Sequence, residues 1–172
     1  MRYIIDACNL IFRDRRLEDA LENHGFPAAR QLLVTMLTRF AYAERTQQII
    51  AVFDGSEKAA HRPRRQRESA GAVELVYADP RSDADRFIIE MVENAQRPGE
   101  LTVVSSDKMI IRNVRRLQAH TLGCRDFLRR TRRAIAQASD PLQGEDPRKY
   151  VGQLSAREVE EWMKIFGFKE NE

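Results

Sequence analysis

Four short apolar runs each lead into aspartate, and this repeated pattern limits the folds open to the chain. Arg2 to Ile5 ends in Asp6, Gln48 to Phe53 ends in Asp54 before Gly55, and Leu101 to Val104 runs through Ser105 and Ser106 to Asp107. Val73 to Tyr77 passes through Pro80 and Ser82 into a stretch that opens with Asp83 and Asp85. Short apolar runs bounded by turn residues read as buried strands. The intervals between them are helical in period. Pro27 opens the repeat Leu32, Leu33, Met36, Leu37, Phe40, Ala41, and the next repeats are Ala84, Phe87, Ile88, Met91, Val92 and then Met109 to Leu117. Ala119 to Leu122 supplies a short fifth strand. Strands alternating with helices build parallel βαβ units, so the expected fold is a three-layer α/β/α arrangement around a mostly parallel sheet. In such folds ligands sit outside the carboxyl ends of the strands.

At 172 residues and 42% hydrophobic content the chain can bury one proper core. That core is expected over residues 1–137, with 138–172 as a linker and a helical extension. Pro141, Gly144 and Pro147 mark the linker, and Ser155-Ala156-Arg157-Glu158 has the form of a capping box. The helix it opens would carry Val159, Trp162, Met163 and Phe166 on one face and dock on the domain. No apolar stretch is long enough to cross a membrane, and Asp6 interrupts what would be a leader, so a cytosolic protein is expected. Cys8 and Cys124 lack the spacing of a disulfide framework or a zinc site and read as buried small apolar residues. His24, His61 and His120 form no pattern that demands a metal or a general base.

The chemistry suggested is that of a carboxylate cluster. Asp6, Asp54, Asp85 and Asp107 come from four segments and converge on one sheet edge, although any one alone would be an ordinary helix cap. Carboxylates crowded together raise one another's pKa unless a cation sits among them. An all-oxygen set favours Mg²⁺ or Mn²⁺ over Zn²⁺, and those ions serve phosphodiester hydrolysis. Asn9, Ser105 and Ser106 share the edge and are candidates to position a water or a phosphate, or simply to cap turns. Asp83 is either a further ligand or the cap of its helix, the cap being the simpler role.

As a set, Asp6 with Asn9, Val52-Phe53-Asp54, Ala84-Asp85 with Ile88, and Val103-Val104-Ser105-Ser106-Asp107 resemble the NYN domain of the YacP-like group, within the PIN-like nuclease superfamily. The resemblance runs from about Arg2 to Leu128. It implies a PIN-like fold, metal binding by Asp6, Asp54, Asp85 and Asp107, a positioning role for Asn9, and endoribonuclease activity, in one branch on ribosome-bound messenger RNA. The chain departs from the group at Ala7-Cys8-Asn9, where members often have Gly-Tyr-Asn, so a stacking tyrosine is missing.

The net charge of +3 is unevenly spread. Ser56 to Gly71 holds five basic residues against two acidic, and Asp107 to Arg133 holds nine against two. The first stretch, polar and interrupted by Pro63, reads as a loop or loosely helical excursion. Its Arg62, Arg64, Arg65 and Arg67 would overhang the carboxylate edge, and Arg112, Arg115 and Arg116 would extend a track for a phosphate backbone. Arg125, Arg129, Arg130, Arg132 and Arg133 could continue that track, although Arg129, Arg130, Arg132 and Arg133 are too crowded to share one helix face, so some of them are simply solvated. Two other readings compete with an RNA-cleaving enzyme. A phosphotransfer receiver is disfavoured because no strand separates Asp6 from the Asp54 strand and Asp6 has no acidic neighbour. An RNA- or ribosome-binding module of the same fold without useful catalysis stays open.

Overall fold

The computed structural model describes residues 2–46, 48–54, 67–70, 72–78 and 84–138, all within the compact unit Met1–Asp140. The expected tail helix with Trp162 lies outside the described residues. Along the chain run β1 (Arg2–Asp6), α1 (Ala7–Ile11), α2 (Arg15–His24), α3 (Phe26–Ala43), β2 (Gln48–Phe53), β3 (Arg67–Ala70) and β4 (Val73–Tyr77). They are followed by α4 (Ala84–Glu93), β5 (Leu101–Val104), α5 (Lys108–Arg116), β6 (His120–Leu122) and α6 (Cys124–Gln137). The six strands form one sheet in the order β3-β4-β2-β1-β5-β6. Five pair in parallel, and β3 alone runs antiparallel, on the β4 edge.

Side chains alternate across the sheet, as the period of a strand requires. Tyr3, Ile5, Ala51, Phe53, Leu75 and Val104 face a core shared with α1, α2, α3 and α6. Ile4, Val52, Val76 and Val103 face a second core shared with α4 and α5. These are the three expected layers. In the first, Tyr3, Phe40 and Phe127 meet with ring centroids 5.0 to 5.8 Å apart, which ties α3 and α6 together over the central strand.

The structure adds three local features. Ala7-Cys8-Asn9 forms the start of α1, capped by Asp6 itself. The chain between that point and α3 forms α2, whose sequence RRLEDALENH buries only Leu17 and Ala20. Asp14 caps α2 by accepting from the N–H groups of Arg16 and Leu17 at 2.9 and 3.3 Å, and Gly25, at a φ of 82°, separates it from α3. Finally, the basic excursion after Asp54 ends in a strand: Arg67 to Ala70 pair with β4 from Val76 back to Val73. Pairing supplies backbone partners even where the sequence is polar, and an edge strand is where such a sequence is tolerated. Residues 55–66, with Arg62, Arg64 and Arg65, lie outside the described residues.

Candidate active site

The central strand β1 lies between β2 and β5, and the chain leaves β1 toward one side of the sheet first and the other side later. This reversal opens a crevice at the carboxyl ends of β1 and β5. Asp6 is the last residue of β1, in register with Val52 of β2, and Ile5 pairs with Val104 of β5. Asp54 therefore follows on one side of Asp6, and Ser105-Ser106-Asp107 on the other. Asp85 lies in the first turn of α4, which packs on β1 and β2.

Asp6 is the fixed point of the edge. It is only 6% exposed, and both its oxygens are engaged. Oδ1 accepts the Asn9 N–H at 3.0 Å and Oδ2 accepts the Ser105 hydroxyl at 2.9 Å. Ser105 is fully buried, and its Oγ in turn accepts the Asp107 N–H at 3.0 Å. Asp107 caps α5 by accepting the Met109 and Ile110 N–H groups at 2.6 and 3.2 Å. Both bonds fall on Oδ1, so Oδ2 is uncommitted among the described residues. Burial raises the Asp6 pKa; the Asn9 N–H and the Ser105 hydroxyl oppose the rise, and the charges of Asp54 and Asp107 add to it. Asp6, Asp54 and Asp107 thus share one electrostatic field. Asp54 is exposed.

Both cysteines belong to this edge, which reading them as inert core residues did not show. Cys8 is only partly buried, and burial pushes its thiol up to about 11, with a backbone hydrogen bond at Asp54 opposing and the Asp54 and Asp6 charges reinforcing the rise. Cys124 is buried; its N–H donates to Ser106 Oγ at 3.3 Å and its Sγ donates to Asn9 Oδ1 at 3.5 Å. Burial raises the Cys124 pKa as well, while Ser106 and the charge of Arg13 lower it. Asn9 and Ser106 therefore hold the start of α6 against the site. Arg13 brings a cation to the same place that the sequence reading missed. The available signal was spacing, since Arg13 stands four residues after Asn9, about one helical turn away.

Among the described residues, no group of three or more His, Cys, Asp or Glu side chains is arranged to hold a metal ion. The donor chemistry at the edge nevertheless suits a hard cation. It is carboxylate, amide and hydroxyl oxygen, beside thiols held protonated at neutral pH. Mg²⁺ is commonly bound through one or two carboxylates with water completing its shell. Such a site needs no closed protein cage. Of the other expected contacts, Arg112 is exposed on α5, and Arg67 begins β3, its side chain outside the described residues.

The family model of the YacP-like NYN domain matches residues 3–167. The chain belongs to the YacP-like NYN domain family. Two crystal structures of Rae1 (YacP) from Bacillus subtilis share this NYN fold. A tryptophan-to-leucine variant superposes with a TM-score of 0.64 at 18% identity, covering 93% of this chain and 98% of that one. The other gives 0.62 at 18% identity, covering 97% and 92%. No curated protein sequence matches the chain significantly. Membership of the NYN family supports a nuclease-like, RNA-related function. Among the described residues no helix is long and apolar enough to cross a membrane.

Proposed function

We propose that this chain is a cytoplasmic, metal-dependent endoribonuclease that hydrolyses phosphodiester bonds at the Asp6 edge, with ribosome-bound messenger RNA among its substrates. The observation that carries the reading is the buried Asp6 carboxylate, fixed through both oxygens at the crevice and sharing its field with Asp54 and Asp107. Asp6, Asp54 and Asp107, joined by Asp85 from α4, are the residues that would hold Mg²⁺ or Mn²⁺. When bound, such a cation supplies Lewis-acid stabilisation of the charge that develops on the phosphoryl group.

The chain's own part is preorganisation. Ser105 and the Asn9 N–H set the orientation of Asp6 before substrate arrives, and Ser105 sets the Asp107 backbone through the same oxygen. Hydrolysis joins a water oxygen to phosphorus as one ester P–O bond breaks, and the leaving oxygen takes up a proton. Arg13 and Arg112, with Arg62, Arg64, Arg65 and Arg67 of the segment after Asp54, supply the positive charge that holds a phosphate backbone near an acidic edge.

The test is cleavage of single-stranded, structured and ribosome-bound RNA in Mn²⁺, Mg²⁺ or EDTA, beside Asp6→Asn and Asp107→Asn. Cleavage stopped by EDTA and by either substitution, with RNA affinity kept, is the expected result. Wild-type protein that binds RNA but never cleaves it would leave a binding module. Cleavage at the wild-type rate in both variants would place the chemistry elsewhere.

A further inference from the structure

Among the described residues, exposed large apolar side chains are unevenly placed. Of the four, Tyr42 lies near the end of α3, which leads to the start of β2 at the far edge of the sheet. Phe12, Phe26 and Met109 belong to segments at the carboxyl edge. Phe26, 37% exposed, is accounted for by an edge-on contact with Phe53 at 5.6 Å. Phe12 and Met109 are 58% and 65% exposed, and they flank the carboxylates.

Their positions follow from the backbone. The Phe12 N–H donates to the Cys8 carbonyl at 3.2 Å, so Phe12 stands one helical turn past Cys8, roughly 5 to 6 Å along the axis, on the face that Cys8 presents to Asp54. Met109 lies in the first turn of α5, its N–H bound to Asp107. The row Asp54, Asp6, Asp107 thus has one apolar side chain at either end. Each has cations beside it: Arg13 next to Phe12, and exposed Lys108 and Arg112 around Met109. An exposed apolar side chain beside a cation on each side of a phosphate-processing centre, aromatic at Phe12 and a polarisable thioether at Met109, matches a single nucleic-acid strand, which alternates π-faces with phosphates. A peptide offers no such regular alternation of anion and ring.

We propose that Phe12 is a base-stacking residue of this site and that Met109 packs on a second base across the carboxylate row, so that RNA is engaged through unpaired bases on both sides of the phosphate at Asp6. The inference rests on the nuclease reading for the position of that phosphate. Phe12 and Met109 then determine specificity, selecting unpaired over duplex RNA at the point of cleavage.

Binding is measured in EDTA, so that affinity is read apart from cleavage, using single-stranded RNA that carries 2-aminopurine, the same strand with one abasic position, and a blunt duplex. Phe12→Ala is expected to weaken single-strand binding roughly 5- to 100-fold and to abolish the 2-aminopurine quenching seen with wild type, while Phe12→Trp restores both. Met109→Ala should weaken it about 2- to 10-fold. At the matching abasic position the Phe12→Ala effect should vanish, and duplex affinity should be unchanged in every variant. Equal single-strand affinities for wild type and both alanine variants overturn this inference and leave the nuclease reading to the Asp6→Asn test. Equal losses on duplex and single strand also overturn it, since stacking needs an open base. Wild type that binds no RNA overturns both readings.

Discussion

Replacing Ser105 by alanine removes the hydroxyl that links Asp6 to Asp107. Ser105 Oγ donates to a carboxylate at 2.9 Å and accepts a backbone N–H at 3.0 Å, in a position with no solvent access. A hydrogen bond to a charged group contributes about 1.5–3 kcal/mol and a neutral one about 0.5–1.5 kcal/mol, and no water can replace either here. Ser105→Ala should therefore cost about 2–4 kcal/mol at neutral pH, which is roughly 6–12 °C in Tm for a unit of this size. The loss should shrink in acid. The hydroxyl favours the ionised form of Asp6, so removing it raises a folded pKa that burial has already raised. The extra cost is present in full above the variant's Asp6 pKa, and it fades as pH falls from there through the wild-type value, both lying above the ordinary aspartate value. Below that window only two neutral bonds are lost, worth about 1–3 kcal/mol. Urea denaturation of both proteins at neutral and mildly acidic pH measures the difference. A loss under about 0.5 kcal/mol at neutral pH, or a loss that does not fall on acidification, would refute the reasoning.

Divalent Mn²⁺ or Mg²⁺ should raise the melting temperature of wild type, because a cation that binds only the folded state relieves repulsion among Asp6, Asp54 and Asp107; an unchanged melting curve together with a flat calorimetric titration would count against the metal site. Asp14→Ala removes a cap that accepts two N–H groups and also the Arg132 guanidinium at 2.6 Å, so it should cost about 1–2 kcal/mol in urea melts without changing RNA affinity.

What could be read from sequence was whatever repeats at short range. Strands β1, β2, β4 and β5 are apolar runs ended by turn residues, and the aspartates after them stand out for that reason. Helix α2 escaped because its two buried positions, Leu17 and Ala20, are too few to set a period against seven polar or charged neighbours and Leu21. Strand β3 escaped because an antiparallel edge is decided by its partner β4 and not by its own alternation. Within the site, each carboxylate was visible alone, but the Ser105 bridge between Asp6 and Asp107 depends on how β1 and β5 pair, and no local pattern encodes that pairing. The cysteines show the same limit. Composition places them in the interior, whereas their contacts with Asp54, Asn9 and Ser106 are tertiary.

The central place of β1 also bears on how the molecule comes together in time. Its two neighbours, β2 and β5, lie far downstream, and the Asp6–Ser105 bond closes a separation of 99 positions. Loops of that length close slowly, and their entropy is lost before the contacts that reward it are made. Until β5 docks, Asp6 has neither its second hydrogen bond nor Asp107 nearby, and one edge of β1 stands open. The site is thus among the last features to form. Whatever chemistry it performs is switched on only in chains whose whole parallel array has closed.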